Sequence, residues 1–410
     1  MNAPGPAAIV QTPFVPRAGE VAGLRRRRNR RHEFGVWWRE IDRVLLALVL
    51  SLMAIGAAAV AAASPASARR LSTAAVRVDD LHFFVLHVRW QLIGLAAMFA
   101  ASTLSREAAR RLGILLGFAM IFALMLVPVI GTNVNGAKRW LNLGVSLQPS
   151  EFLKPAYAIA MAWILSWRVR DPKLPVMAIT FAIMVLVAAL LMLQPDFGST
   201  VLFVGVWFVL VLLAGLPLRH IAVIGGAGVG AVVATYFLYE NARHRIDSFL
   251  GGGTAYDQVD LASRTLNAGG WTGSGLWLGT RKLALPEAHT DYIFSVIGEE
   301  FGLLICGLIV VLYMALVVRV LMRLIDEEDL FTVLAATGLT AQLGGQAFIN
   351  ILVNLQLFPS KGMTLPLISY GGSSTVALCL GVGFLLAITR RNPFIERERL
   401  SLREAGVFAR

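Results

Sequence analysis

The side chains best suited to chemistry fall in four short stretches bordered by apolar sequence. The most acidic runs from Pro286 to Gly302 and carries Glu287, His289, Asp291, Glu299 and Glu300. Asp291 stands where a long polar loop gives way to an apolar run. A carboxylate at such a boundary can ionise, and can take a proton from a reacting group or hold a divalent cation. It is equally placed to cap the helix that follows. His289 suits a proton carrier, but a hydrogen-bonded loop histidine is the preferred reading. Glu299 and Glu300 lie eight and nine residues beyond Asp291, which on one continuous helix puts them roughly 12 Å deeper at 1.5 Å per residue.

The second stretch holds Lys138, Arg139 and Trp140, followed by Gln148-Pro149-Ser150-Glu151-Phe152-Leu153-Lys154-Pro155. Glu151 and Lys154 share one face of a helix and can pair, and the flanking prolines break or kink that helix. A structural ion pair is one reading. The other sets Lys154, with Lys138 or Arg139, against an anionic head group such as a pyrophosphate. In Gln194-Pro195-Asp196-Phe197-Gly198-Ser199, Asp196 is a turn cap. The fourth stretch, Phe358 to Ser374, contains Lys361, Ser369 and Ser373. Its small residues suit close helix packing, and its hydroxyls and lysine suit a polar head group.

These groups need a scaffold, and composition says which kind. The chain has 410 residues, 57% hydrophobic and 15% charged, against about 25% charged in soluble proteins. With a mean hydropathy of +0.69, it is neither disordered nor water-soluble. The net charge of +12 therefore favours anionic lipid surfaces, and nucleic acid is not expected as a partner. Cys306 and Cys379 sit in apolar runs and offer neither a disulfide framework nor a zinc site.

Apolar segments near the ~20 residues needed to cross a bilayer recur about ten times: 41–63, 83–103, 112–130, 147–165, 174–193, 199–215, 218–239, 292–320, 331–357 and 367–389. They lack the period-two alternation of a barrel, so the fold class is an all-α polytopic membrane protein. Lys and Arg concentrate on one set of loops, which places both termini in the cytoplasm. The basic run Arg25–Arg31 in the 1–40 tail fits that rule. The tail reads as uncleaved and disordered, 41–393 as the transmembrane domain and 394–410 as a second cytoplasmic tail. Between spans seven and eight, a long extracytoplasmic loop (240–291) is rich in glycine and charge, and loops of that length are often functional.

Five segments, GAKRWLNLG (136–144), QPSEFLKPA (148–156), QPDFGST (194–200), PEAHTDYIFSVIGEEFG (286–302) and PSKGMTLPLISYGGSS (359–374), occur in this order along the chain. Together they resemble the SEDS family of shape, elongation, division and sporulation proteins, which includes FtsW, RodA and SpoVE. Lys361, the Ser373-Ser374 pair and Phe152 make the chain most similar to the FtsW branch, and the 257–260, 269–271 and 362–365 stretches to its alphaproteobacterial members. Tyr292 and Leu367 each replace a more usual Phe.

The resemblance implies a peptidoglycan glycosyltransferase that polymerises lipid II into glycan strands during septal wall synthesis. Transfer would be inverting and would release undecaprenyl pyrophosphate. It implies Asp291 as the catalytic base or as ligand to Mn2+ or Mg2+. Lys138, Arg139, Lys154 and Lys361 would contact the diphosphate, with Glu151 orienting Lys154. Ser369 and Ser373 are weaker candidates for the head group. Implied partners are lipid II, a class B penicillin-binding protein acting as an FtsI-like transpeptidase, other divisome proteins and membrane lipids. The implied place is the division septum of the bacterial inner membrane. The rivals are a lipid II flippase, with the same charges lining a path, and a RodA-like elongation polymerase.

Overall fold

The computed structural model describes residues 35–72, 77–134, 137–142, 144, 146–215, 226, 230, 233, 236–237, 243, 246–247, 251, 258–359 and 362–391. Met1–Ile41 with Arg390–Arg410 cluster as one unit, and Asp42–Thr389 as the other. The basic run Arg25–Arg31, Lys361 and nearly all of the seventh expected span lie outside the described residues.

The larger unit is built from helices α1 (Arg43–Leu71), α2 (His82–Ser102), α3 (Arg106–Ile130), α4 (Pro149–Arg170), α5 (Val176–Met192), α6 (Phe197–Leu213), α7 (Gln258–Ala268), α8 (Ile293–Phe301), α9 (Leu303–Leu324), α10 (Leu330–Asn354) and α11 (Gly372–Ile388). Helices α1, α2, α3 and α9 have 29, 21, 25 and 22 residues and are apolar enough to cross a membrane, each covering the ~30 Å hydrocarbon core. Helices α4 and α10 are as long, with 22 and 25 residues, but carry a row of buried polar side chains. Four starts are set by side-chain caps. Asp42 accepts from the amides of Val44 and Leu45 at 3.0 and 3.1 Å. Ser105 caps α3, Asp329 caps α10, and Asp196 accepts from the Ser199 amide at 3.2 Å to cap α6, the turn-cap role expected of it.

Small residues bring helices together. A β-carbon at Gly113 of α3 would lie 2.7 Å from Ile159 on α4, and one at Gly94 of α2 would lie 2.8 Å from Cys379 Sγ on α11. Such close approach suits helices that pack by dispersion in lipid. Phe118, Phe122 and Val129 of α3 lie outward and exposed.

Two departures from the helix-only expectation bear on the site. Between α3 and α4 the chain forms a three-stranded antiparallel sheet, β1 (Thr132–Val134), β2 (Ala137–Asn142) and β3 (Ser146–Leu147), in the order β1-β2-β3. The eighth expected span is also broken. Helix α8 stops at Gly302, whose φ of 83° and ψ of 170° suit glycine alone, and a β-carbon there would overlap Trp271 O.

Glu299 and Glu300 lie in the last turn of α8, just ahead of that break and further along the helix that follows Asp291 as expected, and both bind the preceding loop. Glu299 accepts from the Arg281 and Lys282 amides at 2.7 and 2.8 Å. Glu300 accepts from the Gly279 amide at 3.1 Å, from the Trp277 amide and from Lys282 Nζ. Lys282 Nζ also donates to Ala62 O of α1 at 2.8 Å. Both carboxylates are 1% exposed, and their lone pairs are met by amides and one ammonium, as buried charge requires. At the other end of the bundle, Asp42 receives Arg319 and Arg323 of α9 at 2.9 and 2.8 Å, tying the start of α1 to the end of α9.

Candidate functional site

Asp291 ends the turn that leads into α8. Glu287 O accepts from the amides of Thr290 and Tyr292 at 3.1 and 3.2 Å. The capping position of α8 falls to Tyr292, with no side-chain cap. His289 lies 2.7 Å from Ser67 Oγ of α1 through Nδ1, with Phe83 and Tyr370 rings 4.2 and 5.4 Å away. Burial pushes its imidazole down to about 4 against the pull of the Glu287 charge. It is therefore a neutral, hydrogen-bonded loop histidine, as expected.

The segment before α11 runs beside this turn. Residues 362–371 are not helical, yet Met363, Leu365, Leu367, Ile368 and Ser369 are all buried. The segment reaches Gly56, well inside α1, where an added β-carbon would lie 2.7 Å from the Ile368 Cα. Irregular backbone at membrane depth survives only where protein satisfies its polar groups. Tyr370 donates its amide to His289 O at 3.0 Å. Ser369 Oγ donates to Thr290 O at 2.6 Å and accepts from the Leu365 amide at 2.8 Å. Tyr313 donates its hydroxyl to Pro366 O. Ser369 thus joins the two segments. Ser373 lies buried in the first turn of α11, its hydroxyl without a partner among the described residues.

Two further candidates are separated by local geometry. Lys138 and Arg139 are neighbours on β2 where its register with β1 shifts, Asn133 pairing with Lys138 and Thr132 with Trp140, so Arg139 is the extra residue of a bulge that re-aims its side chain. Lys138 is exposed, with Nζ 3.4 Å from Pro128 O. Arg139 is half-buried and donates through Nε to Gln194 O at 3.0 Å and through Nη2 to Pro195 O. This fixes the guanidinium on the turn ahead of α6. A β-carbon placed on Gly362 would lie 3.5 Å from Asp291 Oδ2 and 3.9 Å from Arg139 Nη1. The acid and the cation therefore both border the space beside Gly362, a residue with no side chain to fill it.

Glu151 and Lys154 form the pair expected, at 2.7 Å in the first turns of α4, with side chains 10% and 4% exposed. Lys154 Nζ also donates to Gln346 Oε1 at 2.9 Å, and Gln346 Nε2 donates to Thr364 O at 2.9 Å. This pair therefore reaches the 362–371 segment through Gln346. Sequence reading missed Gln346, and with it Asn350 and Asn354. The signal was present, because amide side chains recurring every four residues mark one face of an otherwise apolar helix.

The chain matches the cell cycle protein family model of FtsW, RodA and SpoVE over residues 42–393. It is 37% identical to the probable peptidoglycan glycosyltransferase FtsW of Caulobacter vibrioides, over 89% of this chain and 93% of that one. It is 35% identical to the protein of the same name from Methylococcus capsulatus, over 85% and 89%. Among solved structures it resembles a chain of a peptidoglycan synthase complex that coordinates polymerization and crosslinking, with a TM-score of 0.71 and 28% identity over 85% of this chain and 97% of that one. The crystal structure of the Thermus thermophilus rod shape determining protein RodA aligns with a TM-score of 0.64 and 28% identity, over 87% and 99%. A match that spans nearly all of the helical body and every described motif leaves one assignment: the chain belongs to the FtsW/RodA/SpoVE family of multi-pass membrane proteins.

Proposed function

We infer that this chain is a peptidoglycan glycosyltransferase of cell division, and that it polymerises lipid II on the outer side of the inner membrane at the septum. The observation that carries the reading is that Asp291 and Arg139 both border the space beside Gly362. A growing strand needs the 4-hydroxyl of an acceptor GlcNAc to attack the anomeric carbon of a donor MurNAc. The bond from that carbon to undecaprenyl pyrophosphate breaks, and the configuration inverts. An acid–cation pair serves both ends of this exchange. Asp291 takes the hydroxyl proton, while Arg139 faces the charge that gathers on the departing diphosphate. Lys361, beside Gly362 in sequence, adds a second cation. Lys154 acts from behind, through Gln346 and Thr364, and Ser373 is the hydroxyl left for the head group.

Among the described residues no group of three or more His, Cys, Asp or Glu gathers. Asp291 would then hold Mn2+ or Mg2+ as a single carboxylate, with substrate phosphate and water completing the shell, an arrangement common for Mg2+. The ion would supply further neutralisation of the diphosphate. Both termini are cytoplasmic in this reading, and a class B penicillin-binding protein crosslinks what this chain polymerises. The similarity to a chain of a synthase complex that coordinates those two steps supports that partnership.

The test is incubation of purified lipid II with the chain and its cognate transpeptidase, co-purified, in Mn2+ or Mg2+. Glycan strands are the expected product. Lipid II scrambling in liposomes without any polymer would replace the enzyme by a transporter. Within an active complex, Arg139→Ala is expected to lower the rate by about 10²-fold, the scale of losing one donor to developing charge. Lys138→Ala, an exposed side chain directed at Pro128 O, is expected to stay within about twofold of wild type, as surface substitutions do. Equal losses would place the cation contact elsewhere.

A further inference from the structure

Helix α10 carries Gln342, Gln346, Asn350 and Asn354 at intervals of four, and all four are at most 5% exposed. Three reach the site. Gln346 joins Lys154 to Thr364. Asn350 Nδ2 donates to Asp291 O at 2.8 Å and to Met363 O at 2.6 Å. Asn354 Nδ2 donates to Asp291 O at 3.2 Å, and its Oδ1 accepts from Ser295 Oγ of α8 at 2.7 Å. Two carbonyls facing Asn350 from different segments can be served only by an NH2 group, which settles the orientation of that amide. The fourth rung, Gln342, has no partner for its Nε2 among the described residues.

We propose that Asn350, backed by Asn354 and Gln346, is a positioning residue for the transfer reaction: it sets the distance between Asp291 and the 362–364 backbone. This inference rests on the reading of the chain as a glycan polymerase. The argument is one of polar satisfaction. The turn at Asp291 and the segment at Met363 are both irregular, so neither fixes its own carbonyl. One amide bonded to both gives them a common reference on a long, buried helix. Removing it frees the Met363 carbonyl and leaves Asp291 O only the longer bond from Asn354, so the acid can drift relative to the 362–364 backbone. A misplacement of about 1 Å can cost on the order of 10²-fold in rate.

The test uses the full chain in complex with its transpeptidase, comparing Asn350→Leu and Gln346→Met with Gln342→Leu. It reads kcat and KM for lipid II, and amide hydrogen exchange over 287–295 and 362–369. Asn350→Leu is expected to lower kcat by about 30-fold or more with KM within about threefold, the mark of lost transition-state geometry. It should also speed exchange in both segments. Gln342→Leu, equally buried on the same face, should leave kcat and exchange within about twofold, since distant rungs act independently. If Asn350→Leu does not fold, Gln346→Met carries the same expectation at 362–369. The proposal is overturned if Asn350→Leu keeps wild-type kcat, if protection in both segments is unchanged, or if Gln342→Leu loses as much. A wild-type complex that makes no polymer overturns the enzymatic reading instead. In that case, faster exchange still supports the positioning role and unchanged exchange removes it.

Discussion

Asp291→Asn is expected to abolish glycan polymerisation, lowering kcat by about 10²–10⁴-fold, the usual contribution of a positioned base, while the protein folds and binds its transpeptidase normally. Asparagine keeps the shape and removes the proton acceptor and the negative charge. The main-chain carbonyl of residue 291 is held by Asn350 and Asn354 at 2.8 and 3.2 Å, ties that the substitution leaves in place. The measurement is strand formation from purified lipid II, with circular dichroism and partner pull-down on the same preparation. Undiminished polymer from the variant would remove Asp291 from the chemistry and leave it a turn residue. Loss of partner binding together with activity would show that the substitution had disturbed the fold.

Lys154→Met is expected to cost about 3–5 kcal/mol of stability, the range for breaking a buried ion pair from one side. The pair is short, at 2.7 Å, with side chains 4% and 10% exposed. Glu151 Oε2 already has no hydrogen-bond partner among the described residues, so the variant leaves the whole carboxylate without its counter-charge. Gln346 loses its contact with the ammonium at the same time. The double variant Glu151→Gln with Lys154→Met removes the stranded charge and should recover most of the loss, giving a strong coupling energy in the cycle. Unfolding of the purified chain in mixed detergent reads both. A single variant as stable as wild type would mean that water reaches this pair and screens it.

The helical body was legible because its information is local. A run of twenty apolar residues is a span whatever its neighbours are. The Glu151–Lys154 pair was equally legible, being set by a spacing of three on one helix, as was Asp196 at its turn. What sequence could not fix depends on contacts between distant segments. Lys138 and Arg139 are indistinguishable by type, and only the bulge in β2 and the turn ahead of α6 bring Arg139 to the same space as Asp291. The position of Glu299 and Glu300 along the helix after Asp291 was legible, but not the loop amides of 279–282 that occupy them. Ser369 was read as a head-group contact because hydroxyls suit one, but its oxygen is engaged by Thr290 and Leu365. Asn350 and Asn354 were passed over because an amide alone carries no reactive character. Their meaning lies in which carbonyls they face.

The three acids between His289 and Gly302 divide their labour, and that division has an evolutionary consequence. Glu299 and Glu300 are bound into the loop, whereas the turn at Asp291 is held through its backbone. On the proposal that Asp291 is the reacting acid, a duplicated copy that exchanged it would keep these backbone ties and would still be recognised as a relative by sequence and by shape. Membership of the family and catalytic competence would then be inherited separately, and genome surveys that count polymerases by overall similarity would also count silent copies.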